Sequence, residues 1–216
     1  MSKTVKIRKG ANINLVGSAE KTTSDTTLPN SFALKPTDFH HMVPKLLLKE
    51  GAEVKAGTPI FYSKSNERIK FVSPVSGEIA EVVRGAKRKI LEIRIVADSN
   101  QKAETAVPVV DFSSFDRAKM ADVLLDAGLW PFIKRRPYDI IADPTEAPKS
   151  IFVSGFDSGP LGADLNYILE RRESDFQSGI DALSKLTEGK VHLNIESGSG
   201  SFMANAKNAQ VNTFSG

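Results

Sequence analysis

Lys64 stands in the stretch Ser63-Lys64-Ser65-Asn66-Glu67, between two runs that read as strands. A lysine amine at a hairpin tip is a nucleophile that can hold a covalently attached group. Carrier lysines commonly sit between two methionines on a tight turn. Neither feature is legible around Lys64, so the residue is expected to be unmodified. A second candidate is residues 155–162, GFDSGPLG, with Gly155, Asp157, Gly159 and Gly162 as candidate cofactor-binding residues. The loop follows a strand-like run and precedes a helical one, where α/β sheets place ligands. Backbone N–H groups at the start of that helix suit an anion. The spacing is not GxGxxG, however, and Pro160 removes one donor. The structural alternative is a turn with glycines at strained angles.

The remaining polar residues do less chemistry. His40 and His41 are neighbours whose side chains diverge on an extended chain, so they are no metal pair. His192 alternates with Val191 and Leu193. It reads as an edge or hydrogen-bonded histidine rather than a base. No Ser–His–Asp set, paired carboxylates or P-loop follows from the spacing, so no catalytic or metal residue is assigned. Basic clusters occur at Arg84/Lys87/Arg88/Lys89, Lys134/Arg135/Arg136 and Arg171/Arg172. A charge run is ordinarily a solvated face. The middle cluster lies among Trp130, Phe132 and Tyr138, and aromatics beside arginines suit a protein interface. Trp130, Phe132, Lys134, Arg135 and Arg136 are therefore the candidate docking residues.

Several elements must position these groups. Residues 4–16 look extended, with Val5, Ile7, Ile13, Leu15 and Val16 apolar, and a polar Ser/Thr loop follows. Glycines at 51, 57, 77 and 85 then punctuate short strands rich in β-branched residues. The order KEG, KAGTPI, SPVSGEI, RG is the layout of a biotinyl/lipoyl-like barrel-sandwich β module. A polar, proline-containing linker comes next. A helix over residues 117–127 would turn Met120, Val123, Leu124 and Ala127 to one side, with Gly128 at its C-terminal cap. Strands over residues 149–155 and 190–195 flank a helix in two parts over 163–186, broken near Glu173. That is a βαβ unit, which favours parallel pairing. Residues 210–214 make a further strand, after which no closing element follows, so a fragment of a longer protein is expected. The fold class is mixed α/β: residues 1–31 an N-terminal segment, 32–98 the barrel-sandwich, 99–112 a linker, 113–216 a βαβ-type α/β domain.

Composition narrows the functions. The chain has 216 residues and no cysteine, which excludes disulfides, thiolate nucleophiles and cysteine-held iron–sulfur or zinc sites. No apolar run follows the charged N-terminus, and no window reaches the roughly 20 apolar residues of a membrane span. The chain reads as soluble or peripheral. A net charge of +3 is too mild for a nucleic-acid surface.

Three stretches resemble one family, the NqrA family of the bacterial sodium-translocating NADH:quinone reductase. KIRKGANINLVG resembles that family's opening. LLLKEGAEVKAGTPIF through FVSPVSGEIAEVVRGAKRKILEI is similar to its barrel-sandwich module. LLDAGLWPFIKRRPYDIIADPTEAPKSIFVSGFDSGPLGAD with LSKLTEGKVHL is similar to its α/β domain. The resemblance implies a peripheral subunit on the cytoplasmic face of the bacterial inner membrane. Its implied partners are the other subunits of that complex, the membrane subunits above all, with quinone as a further contact. The complex would couple NADH oxidation and quinone reduction to sodium export, with flavins, iron–sulfur centres and quinone in the whole assembly. The fold also resembles the flavoprotein subunit of respiratory complex I and the Rnf C subunit. Those relatives hold flavin and NADH on a GRGGAGFPTG-type loop. The matching place here is residues 128–137, GLWPFIKRRP, where large side chains replace glycines. No cofactor is therefore expected on this chain. Two other readings stay open: a stand-alone barrel-sandwich carrier or ligand-binding module, and a fragment of a flavin-dependent NADH dehydrogenase.

Overall fold

The computed structural model describes residues 2–10, 13, 15–104 and 111–215. Residues 105–110 of the expected linker, and residues 11, 12 and 14 of the opening motif, lie outside the described residues. The strands are β1 (Lys3–Lys6), β2 (Ser31–Leu34), β3 (Pro44–Leu46), β4 (Glu53–Val54), β5 (Pro59–Ser63), β6 (Asn66–Val72), β7 (Gly77–Arg84) and β8 (Ile90–Ala97). Helix α1 (Arg117–Asp126) and the short strands β9 (Lys134–Arg135) and β10 (Ile140–Ile141) follow. The last elements are β11 (Ser150–Ser154), α2 (Leu165–Ile168), α3 (Glu173–Ser184), β12 (Lys190–Glu196) and β13 (Gln210–Ser215). Among the described residues of the extended start expected over residues 4–16, the strand is Lys3–Lys6, which pairs with Asn212–Ser215 of β13.

Two compact units form. One contains Thr26–Ser114 and Ala118–Glu146. Its barrel-sandwich is a four-stranded sheet, β2-β8-β7-β4, and a three-stranded one, β3-β5-β6. Ile60, Ile79, Ile93 and Ile95 are fully buried between their strands. Phe61 stacks on Phe71 with centroids 4.4 Å apart, and Phe39 meets Phe71 edge-on at 4.7 Å. The imperfect alternation in KILEIRIV has a local cause. Arg84 pairs with Ile90 and Val83 with Glu92, which leaves Leu91 as the extra residue of a bulge. Ile90 and Ile93 thus both face inward although three positions apart.

From Ala118 onward, helix α1 packs in this barrel unit. The reason is its C-terminus. Gly128 N–H bonds Leu125 C=O at 3.1 Å and Leu129 N–H bonds Leu124 C=O at 2.9 Å, with Gly128 at φ +69°. That is the Schellman pattern. Gly128 is held so close to Val72 that a Cβ would lie 2.5 Å from its Cγ1. The buried stripe of α1 is accordingly Met120, Ala121 and Leu125, rotated from the expected Met120, Val123, Leu124 and Ala127.

The other unit contains Met1–Asp25, Phe115–Arg117 and Ala147–Gly216. Its sheet has the order β1-β13-β12-β11, with every pair parallel. The βαβ expectation holds, and the helical break falls just before Glu173, where Arg171 takes φ +65°. Leu193, Ile195 and Met203 form the core, covered by Val153, Leu165, Leu169, Phe176, Phe202 and Val211. The first strand of the chain therefore belongs to the same sheet as the last.

Gly77, in the SPVSG turn, is the strictest backbone position of the barrel. Its φ is +156°, and a Cβ there would lie 1.9 Å from the Val96 carbonyl oxygen. Gly51 also has positive φ, +83°, but open space around it. Gly77→Ala should destabilise the barrel unit by about 3 kcal/mol from strain plus overpacking. Gly51→Ala should cost only about 1 kcal/mol, the strain alone. Urea unfolding of the two variants measures the difference; equal losses would refute it.

Candidate functional site

Residues 155–162 lie at the carboxyl edge of the parallel sheet, as expected. Gly155 continues β11: its N–H bonds Asn194 C=O at 2.7 Å, and a Cβ would meet the Met203 sulfur at 2.9 Å. Its glycine serves close packing. Asp157 folds back over its own loop. Its Oδ1 accepts from Gly159 N–H at 2.8 Å, and Gly162 N–H bonds Gly159 C=O at 2.9 Å. A Cβ on Gly162 would come within 2.7 Å of the Asp157 carboxyl carbon. Asp164 then caps α2, accepting from the N–H groups of Asn166 and Tyr167 at 3.0 and 3.2 Å. Three N–H groups of the loop and of the first turn of α2, those of Gly159, Asn166 and Tyr167, are thus taken by two carboxylates of the chain itself. A phosphate at these three donors would meet the negative charge of Asp157 and Asp164.

Lys21 lies 2.6 Å from the Asp164 carboxylate. Its ammonium, with the two backbone donors, holds the Asp164 carboxyl below the usual carboxylate range, and Asp164 in turn raises the Lys21 amine. The sequence reading missed this tether. Its one available signal was Asp164 standing just before the apolar run of α2, a helix N-cap pattern.

Residues 128–137 form the other candidate. Trp130 is not on the expected face. It is 3% exposed, and its indole N–H donates to Ala142 C=O at 2.8 Å. Burying an indole is favourable when its N–H finds an acceptor, and the short turn at Trp130–Phe132 supplies that geometry. Phe132 projects outward at 71% exposure, with Leu129 at 52% and Tyr138 at 65%. Lys134 sits over the Phe39 ring, 5.1 Å from its centroid. Arg135 pairs with Glu146 at 2.9 Å, and Arg136 with Asp139 at 3.6 Å. The structure therefore assembles exposed apolar side chains and arginines around a buried tryptophan. Leu129 was absent from the sequence-based set; its position just past the helix cap is what exposes it.

The other expectations are placed as follows. Lys64 is exposed, and Lys64-Ser65 is a two-residue turn, since Ser63 pairs with Asn66. The tight turn judged missing is thus present, held by a 2.8 Å hydrogen bond between the Ser63 and Ser65 hydroxyls and one from Arg68 N–H to Asn66 Oδ1. The flanking methionines are absent. His40 and His41 lie in a turn rather than a strand, with His41 at φ +58°, and His40 contacts Asp139 at 3.2 Å. His192 is a structural residue. Phe152 stacks on it at 4.9 Å, and the Asn212 amide lies 3.4 Å from its Nδ1 while donating to Asn194 Oδ1 at 3.0 Å. Among the described residues no group of three potential metal ligands converges. Two polar concavities lie away from residues 155–162. One, of about 480 Å³, opens at the amino ends of β12 and β13 beside Lys190 and Gln210. Another, of about 550 Å³, opens on the barrel beside Glu53, Glu78, Asp98 and Glu104.

Known proteins agree with this architecture. Residues 5–98 match the NqrA N-terminal barrel-sandwich hybrid domain, and residues 115–216 match the NqrA second alpha/beta domain. In Saccharophagus degradans, the NqrA protein of the Na(+)-translocating NADH-quinone reductase is 32% identical over 98% of this chain and 48% of its own. The same protein of Marinomonas sp. is 34% identical over 87% of this chain and 42% of its own. That of Neisseria gonorrhoeae is 32% identical over 98% and 48%. The chain spans about half the length of the curated relatives it matches.

Because the Asp164 carboxyl is held low, its cap and tether are in full force above the ordinary carboxylate range and are lost as pH falls through the lowered value. In an NMR titration, the Asn166 and Tyr167 amides should follow Asp164 at low pH. Lys21→Ala should move that transition upward toward the ordinary range. An unmoved transition would show that Lys21 does not act on Asp164.

Proposed function

Since this chain belongs to the NqrA family of the Na(+)-translocating NADH-quinone reductase, carrying that family's first two domains, we propose that it is a peripheral subunit of a membrane complex. The complex couples NADH oxidation and quinone reduction to sodium-ion export, at the cytoplasmic face of a bacterial inner membrane. The chain docks and supports; hydride and electron transfer belong to flavins, iron–sulfur centres and quinone held by the other subunits. A place near the quinone-reactive part of the complex is included in this reading. No helix of the described residues is long and apolar enough to cross a membrane, which agrees with attachment to membrane subunits rather than insertion.

The observation that carries the docking role is the outward face of residues 129–138. Phe132, Leu129 and Tyr138 expose apolar surface on a base fixed by Trp130. Rigid, exposed aromatics flanked by arginine are the groups that dominate binding at interfaces. The carboxylates that Arg135 and Arg136 pair with have side chains 55% and 35% exposed, so these pairs add little to folding stability. Their charge is available to orient the protein toward an acidic partner surface.

Arg135→Glu with Arg136→Glu should weaken co-purification with the membrane subunits, more strongly at low salt, and leave the melting temperature of the isolated chain nearly unchanged. Phe132→Ala should weaken assembly roughly tenfold, as loss of an interface anchor does. Unchanged assembly with a lowered melting temperature would make the segment structural and the docking reading wrong.

The purified chain should also be colourless and have the unmodified mass of its sequence. The carboxylates at residues 157 and 164 and the bulky GLWPFIKRRP segment motivate the first statement. The missing methionines beside Lys64 motivate the second. Stoichiometric flavin absorbance, or a biotinyl or lipoyl increment at Lys64, would overturn the corresponding half.

A further inference from the structure

The hairpin joining β7 and β8 ends in residues 84–89, RGAKRK. Lys89 N–H donates to Ala86 C=O at 3.2 Å and closes a four-residue turn. Its central residues, Lys87 and Arg88, have φ of +53° and +59°. These are the φ signs of a type I′ turn, whose central positions favour Asn-Gly, Asp-Gly or Gly-Gly because a side chain strains them. The hairpin does own a glycine, Gly85, but at neither central position. Gly85 lies against Leu91, where a Cβ would approach Cδ1 at 3.0 Å. The chain places its glycine for packing and puts two long cations where glycine would relieve strain. Strain retained in this way points to a use for the side chains themselves.

Charge along the hairpin is segregated. In the stem, Arg94 pairs with Glu81 at 2.7 Å and Glu92 at 3.0 Å, and Lys35 approaches Glu92 at 3.6 Å. Glu81 and Glu92 of the stem are therefore neutralised locally. At the tip, Arg84, Lys87, Arg88 and Lys89 are all exposed, and none has a carboxylate partner among the described residues. Arg84 donates only to the Arg88 carbonyl, at 3.3 Å. By contrast, Arg68, Arg135, Arg136 and Arg172 each face an acidic side chain.

We propose that this hairpin tip is a docking surface for an anionic lipid bilayer. The tip is a convex turn without an aromatic or large apolar residue between Arg84 and Lys89. A protein partner needs anchors that fill pockets, and a single-stranded nucleic acid needs rings on which bases stack. A charged planar surface needs neither. Each lysine or arginine near such a surface is worth roughly fivefold in affinity at physiological salt. The proposal rests on the reading of the chain as a peripheral subunit, which it deepens. Its test uses lipid alone, so its failure leaves assembly with partner subunits untouched.

The 216-residue chain is sedimented with phosphatidylethanolamine vesicles containing phosphatidylglycerol and, separately, with phosphatidylcholine vesicles. The wild type should bind the former, less so as salt rises, and ignore the latter. Lys87→Asn with Arg88→Gly restores the favoured turn residues while removing two cations. Its melting temperature should rise while its vesicle affinity falls roughly twenty-five-fold. Arg84→Gln with Lys89→Gln leaves the turn residues in place and should lose a similar factor. Equal binding to both vesicle types, or wild-type binding by both variants, overturns the proposal. So does a wild type that ignores both vesicle types, whatever its assembly with partner subunits.

Discussion

The parallel pairing of β1 with β13 is the constraint around which the chain is organised. Lys3 to Lys6 run beside Asn212 to Ser215, and Ile7 N–H extends the ladder to Ser215 C=O at 2.7 Å. Parallel neighbours cannot be joined by a tight turn, so everything between them must be folded into the connection. The entire barrel-sandwich, with α1 and the β9–β10 hairpin, occupies that interval. β13 is thereby an interior strand with β12 on its other side. Its Asn212 is 7% exposed and is satisfied by Asn194 and Gln210 at 3.0 Å each, as a buried amide in an interior strand must be.

Inside the barrel, a second constraint acts through small residues. Gly77 lets β7 approach Val96, and Gly128 lets the end of α1 approach Val72. The second contact has a consequence for function. Once Gly128 ends α1 against the barrel, Trp130 falls inward and Phe132 outward. Residues 128–137 thus become a buried anchor with an exposed rim. Exposed aromatic and basic side chains at these positions suit contact with another surface.

Electrostatics completes the picture. At the carboxyl edge of the parallel sheet, Asp157 and Asp164 occupy the backbone donors. On the surface, most of the arginines beside acidic residues are tied into local pairs. Such exposed pairs contribute little to stability but remove charge from long-range interaction. The cations left without partners at residues 84–89 dominate the field of their hairpin for that reason.

Local patterns were legible in the sequence because their causes are local. Glycine spacing marked the turns of the barrel module, alternation in KVHLNI marked β12, and Gly128 marked the end of α1. The family resemblance was carried by motifs such as RGAKRKILEI and covered both domains. Contacts between residues far apart in the chain were not legible. Nothing near Lys3 announces a partner at Asn212, and nothing near Gly128 announces Val72. Trp130 reads as surface because of its arginine neighbours, yet an acceptor at Ala142 draws it into the core. The tight turn at Lys64 and the strained one at Lys87 and Arg88 carry no glycine or asparagine at their central positions, so composition could not reveal them. Periodicity and turn chemistry depend on neighbours in sequence, whereas register, burial and backbone strain depend on what the fold brings alongside, and only the tertiary structure decided those.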